Sequence, residues 1–72
     1  MQKDNAAALL SAEQAAQYLN LSTSTLAKMR LRGDGPAYVK LGGHAVRYRR
    51  ADLESFVDTN IRRSTSEAPE AA

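Results

Sequence analysis

The sequence predicts a small α+β domain with three helices and a two-stranded β-hairpin between the second and third helices. Three observations lead to this prediction. Apolar residues recur at helical spacing on both sides of residues 36–50. An alternating apolar and polar pattern flanks a glycine pair within that stretch. The chain has 72 residues, which we expect to form one small hydrophobic core.

The periodic patterns are confined to the middle of the chain. We therefore expect the folded domain to span residues 9–62. Residues 1–8 are expected to form a flexible N-terminus, and residues 63–72 a disordered tail, because both ends are polar and the tail offers few apolar groups to offset the entropy of ordering.

The first helix is predicted to begin at Ser11, which can form a capping box with Gln14 three residues later. Leu10 precedes this cap and can act as a hydrophobic staple. Asn20 is a suitable left-handed C-cap, because asparagine tolerates a positive φ better than most residues. The apolar face between these caps consists of Ala12, Ala15, Ala16 and Leu19. It is thin, so another helix can approach closely over it.

The second helix is predicted over residues 23–32, with Ser22 as its N-cap and glycine and proline residues ending it. Leu26 and Met29 form its buried side. The short turn at residues 20–22 predicts a helix-turn-helix, which presents its second helix to a partner. An ordinary pair of core helices is the alternative interpretation.

The segment after the second helix predicts a hairpin, with the sequence AYVKLGGHAVRYR and a tip at residues 42–45. The apolar face is expected to carry Val39, Leu41, Val46 and Tyr48. The opposite face is expected to carry Lys40, Arg47 and Arg49. Because a lone hairpin is unstable in water, its apolar face must pack on the helices. A hairpin in this position is a wing.

The third helix is predicted to begin at about Ala51 and to complete the core. Asp52 and Glu54 fall in its first turn, where the helix dipole favours acids. Phe56 is expected to be the largest core anchor. The apolar stripe is expected to consist of Leu53, Phe56, Val57 and, less regularly, Asn60 and Ile61, and the last turn to contain Arg62 and Arg63.

Positive charge is concentrated in one segment of the chain. The net charge is only +2, but residues 28–50 contain seven basic residues and one acidic residue, which gives a local charge of +6. Such a segment is either a solvated face or a binding surface for an anionic partner, of which nucleic acid is the commonest.

Composition argues against several other classes of protein. With no cysteine and a single histidine, His44, we expect no metal site and no cofactor. No base is positioned to activate the serines and threonines, so we do not expect an enzyme. No apolar run reaches the roughly 18 residues needed to span a bilayer, and the N-terminus lacks the apolar core of a signal peptide. We therefore expect a cytoplasmic protein that makes no membrane contact.

A family resemblance covers most of the predicted domain. Residues 9–57 have the sequence LLSAEQAAQYLNLSTSTLAKMRLRGDGPAYVKLGGHAVRYRRADLESFV. This segment resembles the helix-turn-helix domain of the excisionase family, a small winged-helix group related to MerR-type DNA-binding domains. The most specific portion is GPAYVKLGGHAVRYRRADLESF, in which glycine-proline, K-L-G, R-Y and D-L occur in the family's order and spacing. The resemblance implies double-stranded DNA as the partner. It places the second helix in the major groove and the wing along the backbone or in the adjacent minor groove.

In that arrangement the candidate DNA-binding residues combine hydroxyls, a methyl group and cations. Hydroxyls read base edges loosely, an alanine methyl can meet a thymine methyl, and lysine can bind guanine or phosphate. The candidates at the second helix are Ser22, Thr23, Ser24, Ala27, Lys28, Arg30 and Arg32. The candidates in the wing are Lys40, Gly43, His44, Arg47 and Arg49. Neutralising about five phosphates would make log K fall with log salt at a slope of about −4 to −5.

This sequence departs from the family at three of these positions. Many relatives carry an arginine at the place of Thr23, an aromatic residue at the place of Ala27 and an arginine near His44. Direct base readout is therefore expected to be sparse, so DNA shape or several copies binding side by side must supply specificity. His44 either inserts into a minor groove or is a solvated loop residue.

The resemblance implies an excisionase, or recombination directionality factor. Such a protein binds and bends DNA near an attachment site and promotes integrase-mediated excision of a mobile element. Its partners would then include a tyrosine integrase and further copies of itself on the DNA. It would be a bacterial or phage protein associated with the nucleoid. Two other roles are left open: a small transcriptional regulator of a prophage or mobile element, and a protein-interaction module of the antitoxin type.

Overall fold

The computed structural model describes residues 9–63, which form three helices and a three-stranded antiparallel sheet. In chain order the elements are β1 (Leu9–Ser11), α1 (Ala12–Leu19), α2 (Thr23–Arg32), β2 (Val39–Leu41), β3 (Ala45–Arg49) and α3 (Arg50–Thr59). The predicted α+β fold, a small winged helix-turn-helix, is confirmed. The predicted flexible N-terminus, and all of the predicted tail except its first residue, lie outside the described residues.

Capping chemistry sets the ends of the first two helices, as the sequence predicts. The Ser11 hydroxyl accepts from the Gln14 backbone N–H at 3.1 Å, and the Gln14 side chain accepts from the Ser11 N–H at 2.9 Å. Asn20 ends α1 in the left-handed conformation with φ of 59°. Gly33 ends α2 in the same conformation with φ of 80°. The three-residue turn and the bounds of α2 are therefore those predicted.

The sheet contains a strand that the sequence does not predict. β1 pairs with β3, with Leu10 opposite Tyr48, so the strand order is β1-β3-β2 and β3 is central. Leu10, predicted as a staple for α1, lies in this strand and packs against the core. A three-residue strand is too short to show an alternating pattern, and its partner lies far along the chain.

The hairpin connection is one residue shorter than predicted. Leu41 pairs with Ala45, which leaves residues 42–44 as the connection in place of 42–45. Gly42 and Gly43 have φ of 61° and 86°, values that residues with a Cβ rarely adopt. The His44 N–H closes the turn by donating to the Leu41 carbonyl at 3.3 Å.

This one-residue difference reverses the two faces of β2. Directly opposed residues share a sheet face, and Val39 is opposite Arg47 while Lys40 is opposite Val46. Val39 and Leu41 therefore lie on the outer face with Arg47 and Arg49, whereas Lys40 shares the core-facing side with Val46 and Tyr48. The prediction of one apolar and one cationic face is wrong, because a shift of one residue moves every side chain of a strand to the other face.

The hydrophobic core is small and contains one aromatic ring. Among the described residues, the buried hydrophobic side chains are Ala15, Ala16, Leu26, Tyr48 and Leu53. Tyr48, on the central strand, is the largest of the fully buried side chains. Phe56, predicted as the largest anchor, is only half-buried, so that prediction is wrong. Leu53 is the residue of α3 that is buried in the core.

The third helix ends earlier than the sequence predicts. It stops at Thr59, and the Asn60 side-chain amide donates to the Phe56 carbonyl at 2.8 Å at this end. Arg62 and Arg63 therefore follow the helix and are not part of its last turn. Arg62 still interacts with the C-terminal end of α3, because its guanidinium donates a hydrogen bond to the Thr59 carbonyl at 3.4 Å.

The register of the hairpin predicts opposite outcomes for two threonine substitutions. Leu41→Thr should change the free energy of unfolding by no more than about 0.5 kcal/mol, as for other exposed positions. Val46→Thr should lower it by about 1–3 kcal/mol, because a hydroxyl is placed against the core. Threonine is used at both positions because it retains a high strand propensity. Urea denaturation followed by circular dichroism measures both values, and a large loss for Leu41→Thr would contradict this register.

Candidate nucleic-acid interface

The start of α2 is held by the cap that the sequence predicts. The Ser22 hydroxyl accepts from the Thr25 N–H at 3.0 Å and donates to the Thr25 hydroxyl at 2.9 Å. Both hydrogen bonds of the Ser22 hydroxyl are therefore made to Thr25 of the same helix. The backbone N–H groups of Thr23 and Ser24, which have no acceptor inside the helix, remain as the donors for an anion at this end.

One face of α2 is open to solvent and carries most of the predicted base-reading residues. Thr23, Ser24 and Lys28 are exposed, and Ala27 is half-buried beside them. Leu31 continues this face three residues after Lys28 and is 84% exposed. Leu31 is not among the DNA-binding residues predicted from sequence, although its spacing of seven residues from Ser24 places it on the same side of a helix.

The two arginines at the end of α2 are held differently. Arg32 forms an exposed ion pair with Asp34 at 3.0 Å. Arg30 is half-buried, and its Nη1 donates to the Tyr48 hydroxyl at 3.1 Å. Its guanidinium carbon also lies 5.8 Å from the centroid of the Tyr38 ring. Arg30 thus connects α2 to the sheet, a role that sequence reasoning missed because its partners are distant in sequence.

The wing places its predicted DNA-binding residues at its tip and on both of its faces. Gly43 and His44 are exposed at the tip. Lys40 is exposed to solvent, although it lies on the same sheet face as Val46, which packs against the core. Arg47 lies on the outer face, where it is half-buried and donates to the Val46 carbonyl at 2.8 Å. The predicted single cationic face therefore does not form.

Arg49 is bound to α3. Its Nε and Nη2 donate to the two carboxylate oxygens of Asp52 at 2.7 and 2.9 Å. This hydrogen bonding lowers the pKa of Asp52 and raises that of Arg49. Asp52 lies in the first turn of α3, where the helix dipole favours an acid. Arg49, predicted to bind DNA, is therefore paired with a carboxylate of α3 while its side chain remains exposed.

The cations of α2 and the wing thus fall into two groups. Arg32 and Arg49 have carboxylate partners, as does Arg50, which is 3.5 Å from Glu54. In residues 9–63, the structure gives no carboxylate partner to Lys28, Arg30, Lys40 or Arg47. The charge of these four is not neutralised within the described part of the chain. We call these four residues the open cations; two lie on α2 and two on the wing.

Comparison with known proteins agrees with this arrangement. Residues 9–60 match a family model described as a helix-turn-helix domain, which is more than half of the chain. The chain belongs to this helix-turn-helix family. The matched segment runs from β1 through α3 and contains every candidate residue of α2 and the wing. No curated protein matches the chain.

Membership of the helix-turn-helix family indicates DNA binding and a DNA partner. In helix-turn-helix domains the second helix of the motif is called the recognition helix. Here α2 holds that position, and its outer face is open. Across residues 9–63, no helix of this helix-turn-helix domain combines the length and apolar character needed to cross a membrane.

Proposed function

We propose that this chain binds double-stranded DNA sequence-specifically and acts as an excisionase, or recombination directionality factor. In this role it bends DNA near an attachment site and promotes excision of a mobile element by a tyrosine integrase, in the cytoplasm and on the nucleoid. The observation that carries the DNA-binding part is the exposed face of α2 beside the open cations. The excisionase role rests on the resemblance of residues 35–56 to that family.

Base reading in this proposal falls to the exposed face of α2. Thr23 and Ser24 meet base edges at the helix tip, where their hydroxyls donate or accept hydrogen bonds. Lys28 follows one turn later and addresses guanine acceptors or a phosphate. The methyl groups of Ala27 and Leu31 add apolar contact to thymine. These contacts discriminate weakly between bases, so DNA shape and neighbouring copies supply the remaining specificity.

Affinity in this proposal comes from contacts between cationic side chains and the phosphates of the DNA backbone. The open cations Lys28, Arg30, Lys40 and Arg47 bind the backbone without first breaking an ion pair to a carboxylate. The wing tip, with Gly43 and His44, approaches the minor groove next to the recognition helix. The protein acts through binding and deformation of DNA, so catalysis is left to the integrase.

A transcriptional regulator of a prophage or mobile element would use the same residues on a promoter. A protein-interaction module of the antitoxin type would instead present the open cations to an acidic protein. Two experiments distinguish these roles. A DNA-binding assay tests the protein-interaction module, and an excision assay in which the integrase has its own promoter tests the transcriptional regulator.

The salt dependence of binding tests the role of the open cations. Binding of the full chain to a fluorescein-labelled duplex of mixed sequence is measured by anisotropy at several salt concentrations. With four phosphates neutralised, the slope of log K against log salt should be about −3.6. Lys28→Ala should make this slope less negative by about 0.9, since one phosphate contact is lost.

Arg50→Ala is the matched control for this experiment, because it removes the same charge from an arginine that already pairs with Glu54 and lies over the Tyr18 ring. It should leave the slope unchanged. A slope near zero for the wild type, or unchanged binding by Lys28→Ala, would contradict DNA binding through this face and favour the protein-interaction module.

Excision assays test the biological role. In cells that carry the mobile element, with the integrase expressed from a separate promoter, deletion of this chain should abolish excision, and the wild type should restore it. Lys28→Ala should restore it poorly, whereas Arg50→Ala should restore it fully. Excision that proceeds normally without the chain, while transcript levels of the element change, would contradict the excisionase role and support the regulator.

A further inference from the structure

The hydroxyl of Tyr48 lies in the interior of the domain, where it has one hydrogen-bond partner among residues 9–63. Tyr48 is 0% exposed, and its ring packs in the core cluster with Ala15, Ala16, Leu26 and Leu53. A buried tyrosine hydroxyl requires a hydrogen-bond partner, because leaving it unpaired costs free energy. Within residues 9–63 that partner is Nη1 of Arg30, at 3.1 Å.

Arg30 is held from a second side by an aromatic ring. Its guanidinium carbon lies 5.8 Å from the centroid of the Tyr38 ring, within the range of a cation–π interaction. The Tyr38 and Tyr48 rings are themselves 6.2 Å apart. Arg30 therefore sits against two tyrosines, one from the central strand and one from the segment that enters the hairpin.

Between α2 and Tyr38 the chain passes close to the helix at Gly35. A Cβ on Gly35 would lie 2.9 Å from the Cβ of Met29, so only glycine fits there without movement. Gly35, Met29, Arg30 and Tyr38 line one open groove of about 320 Å³ at the end of α2. Arg30 is thus part of the wall of a concave surface at the end of α2.

The two tyrosines hold Arg30 without neutralising its charge. A phenol and an aromatic face are uncharged partners, in contrast to the carboxylates that pair with Arg32 and Arg49. The hydrogen bond to Tyr48 uses one of the five N–H donors of the guanidinium. The remaining donors include the fork of Nε and Nη2, which matches two phosphate oxygens.

We propose that Tyr48 is a positioning residue for DNA binding, whose buried hydroxyl, with the Tyr38 ring, holds the Arg30 guanidinium as a preformed site for a backbone phosphate. This inference rests on the proposed function, because it assigns a phosphate of the DNA to that site. Arg30 is ordered before DNA arrives, so binding does not have to immobilise a long side chain. Pre-ordering one such side chain corresponds to about a two- to tenfold gain in affinity.

The test is a set of substitutions measured on the full chain with the mixed-sequence duplex. Tyr48→Phe removes one oxygen atom and keeps the ring in the core. It should weaken binding by about two- to tenfold in the wild-type background. Arg30→Ala should make the salt slope less negative by about 0.9, as expected for one phosphate. In the Arg30→Ala background, Tyr48→Phe should have no further effect on affinity.

Tyr18→Phe is the matched control, because Tyr18 also lies under an arginine, Arg50, at 5.2 Å, but on α1. It should leave affinity unchanged. Thermal unfolding followed by circular dichroism establishes that each variant is folded. If Tyr48→Phe does not fold, Tyr38→Leu decides the question, because Tyr38 is 43% exposed and its loss removes the ring beneath Arg30. It too should weaken binding only when Arg30 is present.

Three outcomes would overturn the positioning role: Tyr48→Phe binds as tightly as Tyr18→Phe, it weakens binding equally with and without Arg30, or Arg30→Ala leaves the salt slope unchanged. In each case the wild type would still bind the duplex with a steep salt slope, so the proposed function would survive. If the wild type itself shows no salt-dependent binding, it is the proposed function that fails.

Discussion

The side chain of Tyr48 connects the two parts of this domain, the helix-turn-helix and the sheet. It lies on the central strand, pairs across the sheet with Leu10, and is buried with Ala15, Ala16, Leu26 and Leu53. A domain this small buries little surface, so a single large ring is a substantial part of the core. The hydroxyl of the same ring binds Arg30 on the recognition helix. Tyr48 therefore contributes both to the packing of the core and to the position of Arg30 in the candidate DNA interface.

The small residues around this ring determine how closely the elements can approach. Ala15 and Ala16 are buried with almost no side-chain volume, which lets α2 pack close to α1 through Leu26. Gly35 plays the corresponding role where the chain leaves α2, because a Cβ there would collide with Met29. The outer face of α2 remains exposed to solvent, and the chain continues from α2 into the two strands of the wing.

Local chemistry made much of the fold predictable from sequence. The capping box at Ser11, the left-handed Asn20 and the cap at Ser22 involve residues within a few positions of each other, and they set the ends of α1 and the start of α2. The exposed position of Lys28 opposite Leu26 follows from helical spacing in the same way. The bounds of α2 and its exposed face could therefore be predicted.

Features that depend on distant pairing could not be predicted. β1 is defined only by its pairing with β3, and the faces of β2 depend on whether the connection has three or four residues. Tyr48 replaces Phe56 as the main anchor because position in the central strand matters more than the apolar character of the side chain. Within the site, the contact of Arg30 with Tyr48 joins residues far apart in sequence, whereas the Arg49–Asp52 pair has a spacing of three that sequence reasoning could have found.

The most direct test of DNA binding through α2 and the wing is a nuclear magnetic resonance titration of the full chain with a short duplex of mixed sequence. Backbone amide shifts should change most at residues 22–31, from the cap of α2 to Leu31, and at residues 40–47 of the wing. Residues 54–59 of α3 should change little. Changes concentrated in α1 and α3, with α2 and the wing unaffected, would contradict this interface.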